Sequence, residues 1–188
     1  MNNMKIVEFN ILFLVIDSLR NDEFEKFCKR FPNSNLNKLA SSGLYFSQTI
    51  SSADATLLSL SSILTGLFPC KTGIRSEKLN KLKPDVKTLF NLLKSEGYHL
   101  YGYNPTVVNM VNLLPIFENK DSSSESSPRL TGDIGEKIIK NIEKFKKPWI
   151  SFVHTTDLHD PITIPKKFDS KEYGLNQYEK QIFAIDNE

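Results

Sequence analysis

Six consecutive apolar residues, Ile11-Leu12-Phe13-Leu14-Val15-Ile16, end abruptly at a carboxylate, Asp17. The run is rich in strand formers and shows no polar alternation. That pattern predicts a strand covered on both faces, as at the centre of a parallel sheet. It restricts the chain to layered architectures, and in open sheets of this kind ligands bind at the carboxyl ends of the strands. Asp17 stands at such an end. It is placed either to hold a metal or, with Ser18, to cap a helix expected from Leu19 to about Arg30.

The rest of the chain alternates between the two element types. Asn35 to Ser42 reads as a short helix closed by Gly43, and Leu44 to Ile50 as a strand. Leu57, Leu60, Ile63, Leu64 and Leu67 are spaced for a helix that stops at Gly66 and Pro69. The loop from Lys71 to Lys83 is basic and expected to be exposed. A helix is expected to start at Pro84-Asp85 and end at Gly97, followed by a strand over Tyr98 to Tyr103 with His99 on its polar face. The polar stretch Asn119 to Pro128 cannot bury enough apolar surface to order itself, so a flexible loop is expected at about 119–131. Ile134, Ile138, Ile139, Ile142 and Phe145 mark an amphipathic helix, Trp149 to Val153 a further strand, and a last helix begins at Asn176. The order predicts an α/β fold, a mainly parallel central sheet flanked by helices, forming one domain over residues 1–188.

Composition limits the function classes. With 188 residues, 39% hydrophobic and 24% charged, the chain can bury one sizeable core. A net charge of +2, from 24 basic and 22 acidic residues, gives no footing for nucleic acid. No apolar run approaches the ~20 residues of a membrane span, and the first residues lack a secretory layout. Cys28 and Cys70 lie far apart and belong to no metal-type spacing, which favours reduced thiols. The expectation is therefore a soluble, cytoplasmic protein with neither a membrane span nor a nucleic-acid partner. No Gly-x-Gly-x-x-Gly and no P-loop is present.

Chemistry concentrates in three places past strand ends or at helix starts: Asp17, Thr56, and the group His154, Asp157 and His159. Thr56 falls where a helix N-cap would sit. It is there either as a cap or as a nucleophile aimed at an anionic ester, because free N–H groups and the helix dipole attract anions. A carboxylate, a hydroxyl and imidazoles form a plausible kit for ester cleavage assisted by a divalent cation. The spacing His154-x-x-Asp157-x-His159, with no cysteine nearby, is no zinc signature.

These residues carry a family resemblance. Asn10 to Asp22, Pro32 to Ala40, Gly43 to Phe46, Ser59 to Pro69 with Gly73, Glu96-Gly97-Tyr98, and Phe152 to Pro161 resemble, in order, segments of the sulfatase family within the alkaline phosphatase superfamily. The resemblance implies an alkaline-phosphatase-like fold. It places Asp17 on a metal-binding carboxylate and Thr56 on the nucleophile, where it would also contact the metal. It places His159 on the histidine that contacts the ester, and leaves His154 and Asp157 without a settled role. It also implies a divalent metal ion (Ca, Mn, Zn or Mg) and a small-molecule or lipid/glycan ester substrate. Members carry Cys or Ser within Cys/Ser-x-Pro-x-Arg, converted to formylglycine; here Thr56-Leu57-Leu58-Ser59-Leu60 has neither Pro nor Arg, and Thr cannot be converted. An unmodified Thr favours phosphate-type esters. Ser18 replaces a second Asp, and Asn104 stands near the position of a family Lys.

The family's Asp-His pair, which completes the metal site, falls beyond the region matching Glu188. The chain is thus expected to be the N-terminal portion of a longer, C-terminally incomplete catalytic domain, inactive alone. Two readings follow: a metal-dependent hydrolase or transferase of sulfate and phosphate esters, or a non-catalytic or truncated relative.

Overall fold

The computed structural model describes residues 9–76, 80–122 and 126–188. Strand β1 is Ile11–Ile16, β2 His99–Tyr103 and β3 Trp149–Thr155. They form a parallel sheet in the order β1-β3-β2. The helices are α1 Asn21–Arg30, α2 Asn35–Ser42, α3 Thr56–Thr65, α4 Pro69–Thr72, α5 Leu89–Ser95, α6 Thr106–Asn109, α7 Gly135–Ile142 and α8 Gln177–Asp186. The expected parallel α/β sheet flanked by helices is therefore present.

Every residue of β3 is buried, because it lies between two strands and between two helical layers. On one face Ile150 and Phe152 pack with Phe13, Val15 and Leu100 against Leu57, Leu60 and Leu64 of α3 and Phe90 of α5. On the other, Tyr103 and Val153 meet Ile134 and Ile138 beside α7. Tyr101, Phe145 and Trp149 continue that layer, with the Tyr101 and Phe145 rings stacked 3.8 Å apart. A second cluster joins α1 to α8 through Phe27, Ile182 and Ile185, with Leu158 from the turn after β3.

Several local expectations change. The unbroken apolar run of β1 was expected to be covered on both faces, yet Leu12 and Leu14 are 53% and 39% exposed. The central strand is β3, and β1 is an edge among the described residues. Leu44 to Ile50 forms no strand. The segment is exposed, Leu44 by 89% and Ile50 by 91%, and no neighbouring strand among the described residues offers it hydrogen bonds. Helix α1 starts at Asn21 with Arg20 before it, so neither Asp17 nor Ser18 caps it. Helix α5 begins at Leu89 rather than Pro84, because Thr88 and Asn91 satisfy each other's end groups in a capping box.

The basic loop after α3 is partly folded: Thr72 closes α4, and both Thr72 and Ile74 are fully buried. Residues 77–79 of that loop lie outside the described residues, as do residues 123–125 of the expected flexible loop. The described residues just before 123–125 are tied down. Asn119 bonds both backbone groups of Gly102, and Ser122 O accepts from Asn104 N–H.

Candidate active site

The site forms where three elements end at the same side of the sheet. The parallel ladder continues past β1 through Asp17 N–H, which donates to Thr155 O at 3.0 Å. Asp17 therefore sits level with the end of β3. The chain then turns sharply. Ser18 adopts φ +63°, a left-handed conformation costing a non-glycine residue about 1 kcal/mol. In it the Ser18 backbone hydrogen-bonds the Asp17 carboxylate.

Thr56 is the first residue of α3, not its cap. Ala55 occupies the cap position with no side-chain bond, and Gly66 closes the helix at φ +69°. Freed from capping, the Thr56 hydroxyl points at Asp17, with Oγ1 3.4 Å from Oδ1 and 3.3 Å from Oδ2. The first-turn N–H groups of α3, at the same helix end as Thr56, lack intrahelical partners by construction.

From the middle strand, His154 Nε2 lies 3.3 Å from Asp17 Oδ2. Only 1% of His154 is exposed, and its Nδ1 has no partner among the described residues. Burial opposes ionisation of Asp17, but the hydrogen bond and charge of His154, the Ser18 backbone and the charge of His159 outweigh it. The Asp17 carboxyl is held below its ordinary value and stays an anion.

The structure thus brings together three of the sequence-predicted residues: Asp17, Thr56 and His154. His159 joins through its field alone. It is exposed on the turn after β3, its Nδ1 2.9 Å from Asp160 O. His99 lies at the opposite end of the sheet, bonded to Glu118, and takes no part.

Asp157 has a structural task. It is fully buried and accepts from the N–H groups of Leu130 and Thr131, from the hydroxyls of Thr131 and Thr155, and from Gln181 Nε2. This one carboxylate ties the start of the α7 segment to the end of β3 and to α8. Asp157→Asn places an amide NH₂ among those donors and leaves at least one of them unpaired. We expect a loss of about 3 kcal/mol in urea unfolding; a change below about 0.5 kcal/mol would remove Asp157 from this role.

One further residue lies at this end of the sheet. Asn104 follows β2 at the same end of the sheet and is 1% exposed; its Nδ2 donates to Pro105 O, and its Oδ1 has no partner among the described residues. Its sequence signals are its place after a strand and its nearness to the position of a family Lys.

The donors fit a hard divalent cation in kind: a carboxylate that stays ionised, a hydroxyl beside it and an imidazole. They fall short in number. Among the described residues no group of three His, Cys, Asp or Glu side chains could hold a metal ion. Titration calorimetry of residues 1–188 with Ca²⁺, Mn²⁺, Zn²⁺ and Mg²⁺ should accordingly show no tight stoichiometric site, and saturation at one ion per chain would contradict this.

A sequence model of the sulfatase family matches residues 9–184. The chain belongs to the sulfatase family. It forms the N-terminal portion of that fold. No curated protein matches this sulfatase-family chain in sequence.

Solved structures share its fold. An alkaline phosphatase superfamily protein from Vibrio parahaemolyticus is 21% identical, with a TM-score of 0.65 over 95% of this chain and 48% of that one. The phosphonate monoester hydrolase of Agrobacterium radiobacter is 15% identical, with a TM-score of 0.64 over 87% of this chain and 44% of its own. The lipooligosaccharide phosphoethanolamine transferase of Neisseria meningitidis, an integral membrane protein, is 12% identical, with a TM-score of 0.64 over 100% of this chain and 38% of its own. The chain therefore spans less than half the length of each. Among the described residues no helix is long and apolar enough to cross a membrane.

Proposed function

We propose that this chain is the nucleophile-bearing part of a metal-dependent sulfatase-family hydrolase or transferase, and that it acts on phosphate-type esters. The observation that carries the reading is the Thr56 hydroxyl facing an ionised Asp17 at the start of α3. A threonine that capped its helix would have turned that hydroxyl onto its own backbone.

Members of the superfamily generally use divalent metal ions. Asp17 and Thr56 would hold such an ion together with groups from the rest of the domain, and when bound it supplies Lewis acidity and favours the alkoxide. Asp17 accepts the hydrogen bond that orients Thr56 Oγ1. His154 fixes the Asp17 carboxylate from the buried side. The α3 N–H groups and His159 face the charge that builds on the ester oxygens.

In the covalent step Thr56 Oγ1 bonds to phosphorus as the ester's leaving alkoxide departs with its electron pair. The hydroxyl proton goes to solvent or to a base of the completed site. Water, or an acceptor hydroxyl in a transferase, then releases the phosphoryl group and restores Thr56. Phosphate esters are favoured over sulfate because a threonine cannot become formylglycine. The phosphonate and phosphoethanolamine enzymes above share the fold and bear phosphorus-centred names. A small-molecule, lipid or glycan ester in a cytoplasmic setting is the substrate class we assign.

The test is a trapping experiment on a form carrying the rest of the domain. Brief incubation with 4-nitrophenyl phosphate and divalent metal, then acid quench and peptide mass spectrometry, should map a phosphoryl group to Thr56. Label on another residue, or turnover with no label under burst conditions, would refute the mechanism. The second reading, a non-catalytic chain, is favoured for residues 1–188 alone by the short ligand set.

A further inference from the structure

The turn that carries Asp17 is held from a distance. Asp17 and Ser18 are its two middle residues, between Ile16 and Leu19. Its own closing bond is long: Leu19 N–H reaches Ile16 O at 3.3 Å, against a usual ~2.9 Å. With Ser18 at φ +63°, the third position of the turn takes a conformation that glycine fills most readily. No side chain caps α1, which follows, and the Arg20 guanidinium is turned onto Asp22. The segment supplies little of its own to fix the turn.

The holding group comes from α8, 160 positions after Ser18. Tyr178 Oη accepts from Arg20 N–H at 2.8 Å and donates to Ser18 O at 2.6 Å. One hydroxyl thus grips the backbone on either side of Leu19. Burial pushes the Tyr178 phenol above its ordinary value, so the donated proton stays in place. The ring packs with Ile16 and Leu19 against Phe27, Leu158, Ile182 and Ile185. A phenylalanine could make that packing; only the hydroxyl reaches the turn. Helix α8 is fixed without that hydroxyl. Asn176 caps it, Gln181 bonds Asp157, and the Asp186 carboxylate accepts from the N–H groups of Asn35 and Leu36.

We propose that Tyr178 is a positioning residue: its hydroxyl holds the left-handed turn at Ser18 and so aims the Asp17 carboxylate at Thr56 Oγ1. The Ser18 backbone is the link, because it bonds the Asp17 carboxylate and, through its carbonyl, the Tyr178 hydroxyl. Helix α8 then braces both strand-end loops of the site, Ser18 after β1 through Tyr178 and Asp157 after β3 through Gln181. The inference rests on the reading of Thr56 as the nucleophile.

The experiment removes the hydroxyl alone. In residues 1–188, Tyr178→Phe should speed amide exchange at Leu19 and Arg20 by roughly 10-fold, while β3 and α8 amides keep their protection. In a form carrying the rest of the domain, it should lower kcat for 4-nitrophenyl phosphate by roughly 10-fold, with KM within about twofold. Ser18→Gly supplies the second arm. Glycine adopts this conformation without strain, so in that background Tyr178→Phe should lower kcat by less than about threefold. Unchanged exchange at Leu19 and Arg20 would overturn the proposal. So would equal acceleration in β3, which would make Tyr178 a prop of the whole fold. A loss of the same size in the Ser18→Gly background would overturn it too, by showing that the hydroxyl acts elsewhere. A parent that turns over the ester with no label at Thr56 refutes the nucleophile reading and this proposal with it. Normal Thr56 labelling and undiminished turnover by Tyr178→Phe refute this proposal alone.

Discussion

Replacing Thr56 with alanine, in a form carrying the rest of the domain, should lower kcat/KM for aryl phosphates by about 10³-fold or more. The size of the effect follows from position. The hydroxyl is the only side-chain hydroxyl directed at Asp17 among the described residues, and the helix start and the ionised carboxylate are arranged around it. Alanine keeps the α3 backbone, since Thr56 makes no capping bond. Stability should therefore move by less than about 1 kcal/mol, which separates lost chemistry from lost fold. Thr56→Ser retains a hydroxyl and should keep measurable activity. If Thr56→Ala turns over substrate as the parent does, Thr56 is merely the residue that begins a helix.

Phe152→Ala should cost about 4 kcal/mol in denaturant unfolding, the upper range for a buried aromatic. Phe152 is fully buried at the centre of β3. Its ring centroid lies 5.7 Å from Phe13, 5.6 Å from Phe90 and 6.5 Å from Phe117, so it meets β1, α5 and the segment that follows α6. No single neighbour can move in to fill the space without leaving another layer. The loss also reaches the site, because Phe152 packs edge-on to His154 with centroids 6.3 Å apart. Against a typical stability of about 5–15 kcal/mol, such a loss consumes a large share. Phe152→Leu, which refills much of the volume, should cost less than half as much; equal costs would show that shape rather than volume governs the position.

Much of this was legible in residue order. The apolar runs at Ile11 and Trp149, each leading into polar residues, located two strands and the end of the sheet where Asp17 and His154 meet. Gly66 marked the end of α3, and Asn176 the start of α8. Other features were misjudged for identifiable reasons. The alternating apolar residues of Leu44 to Ile50 suggest a strand, but a strand needs a neighbour to take its hydrogen bonds, and local pattern cannot supply one. For Thr56 residue type left two readings open, cap or nucleophile, because capping preference is a property of residue type; which way the hydroxyl turns depends on a carboxylate 39 positions earlier.

By itself the sequence determined the α/β class, the parallel sheet and which polar side chains fall past strand ends or at a helix start, because periodicity and residue chemistry are local. Tertiary structure alone decided three things. It made β3 rather than β1 the central strand, because burial depends on which strands find partners. It assigned Asp157 to holding the fold, because only folding gathers donors from residues 130, 131, 155 and 181 around one carboxylate. And it turned Thr56 toward Asp17 and His154, because hydrogen bonds between distant segments exist only once the sheet has set their strand ends side by side.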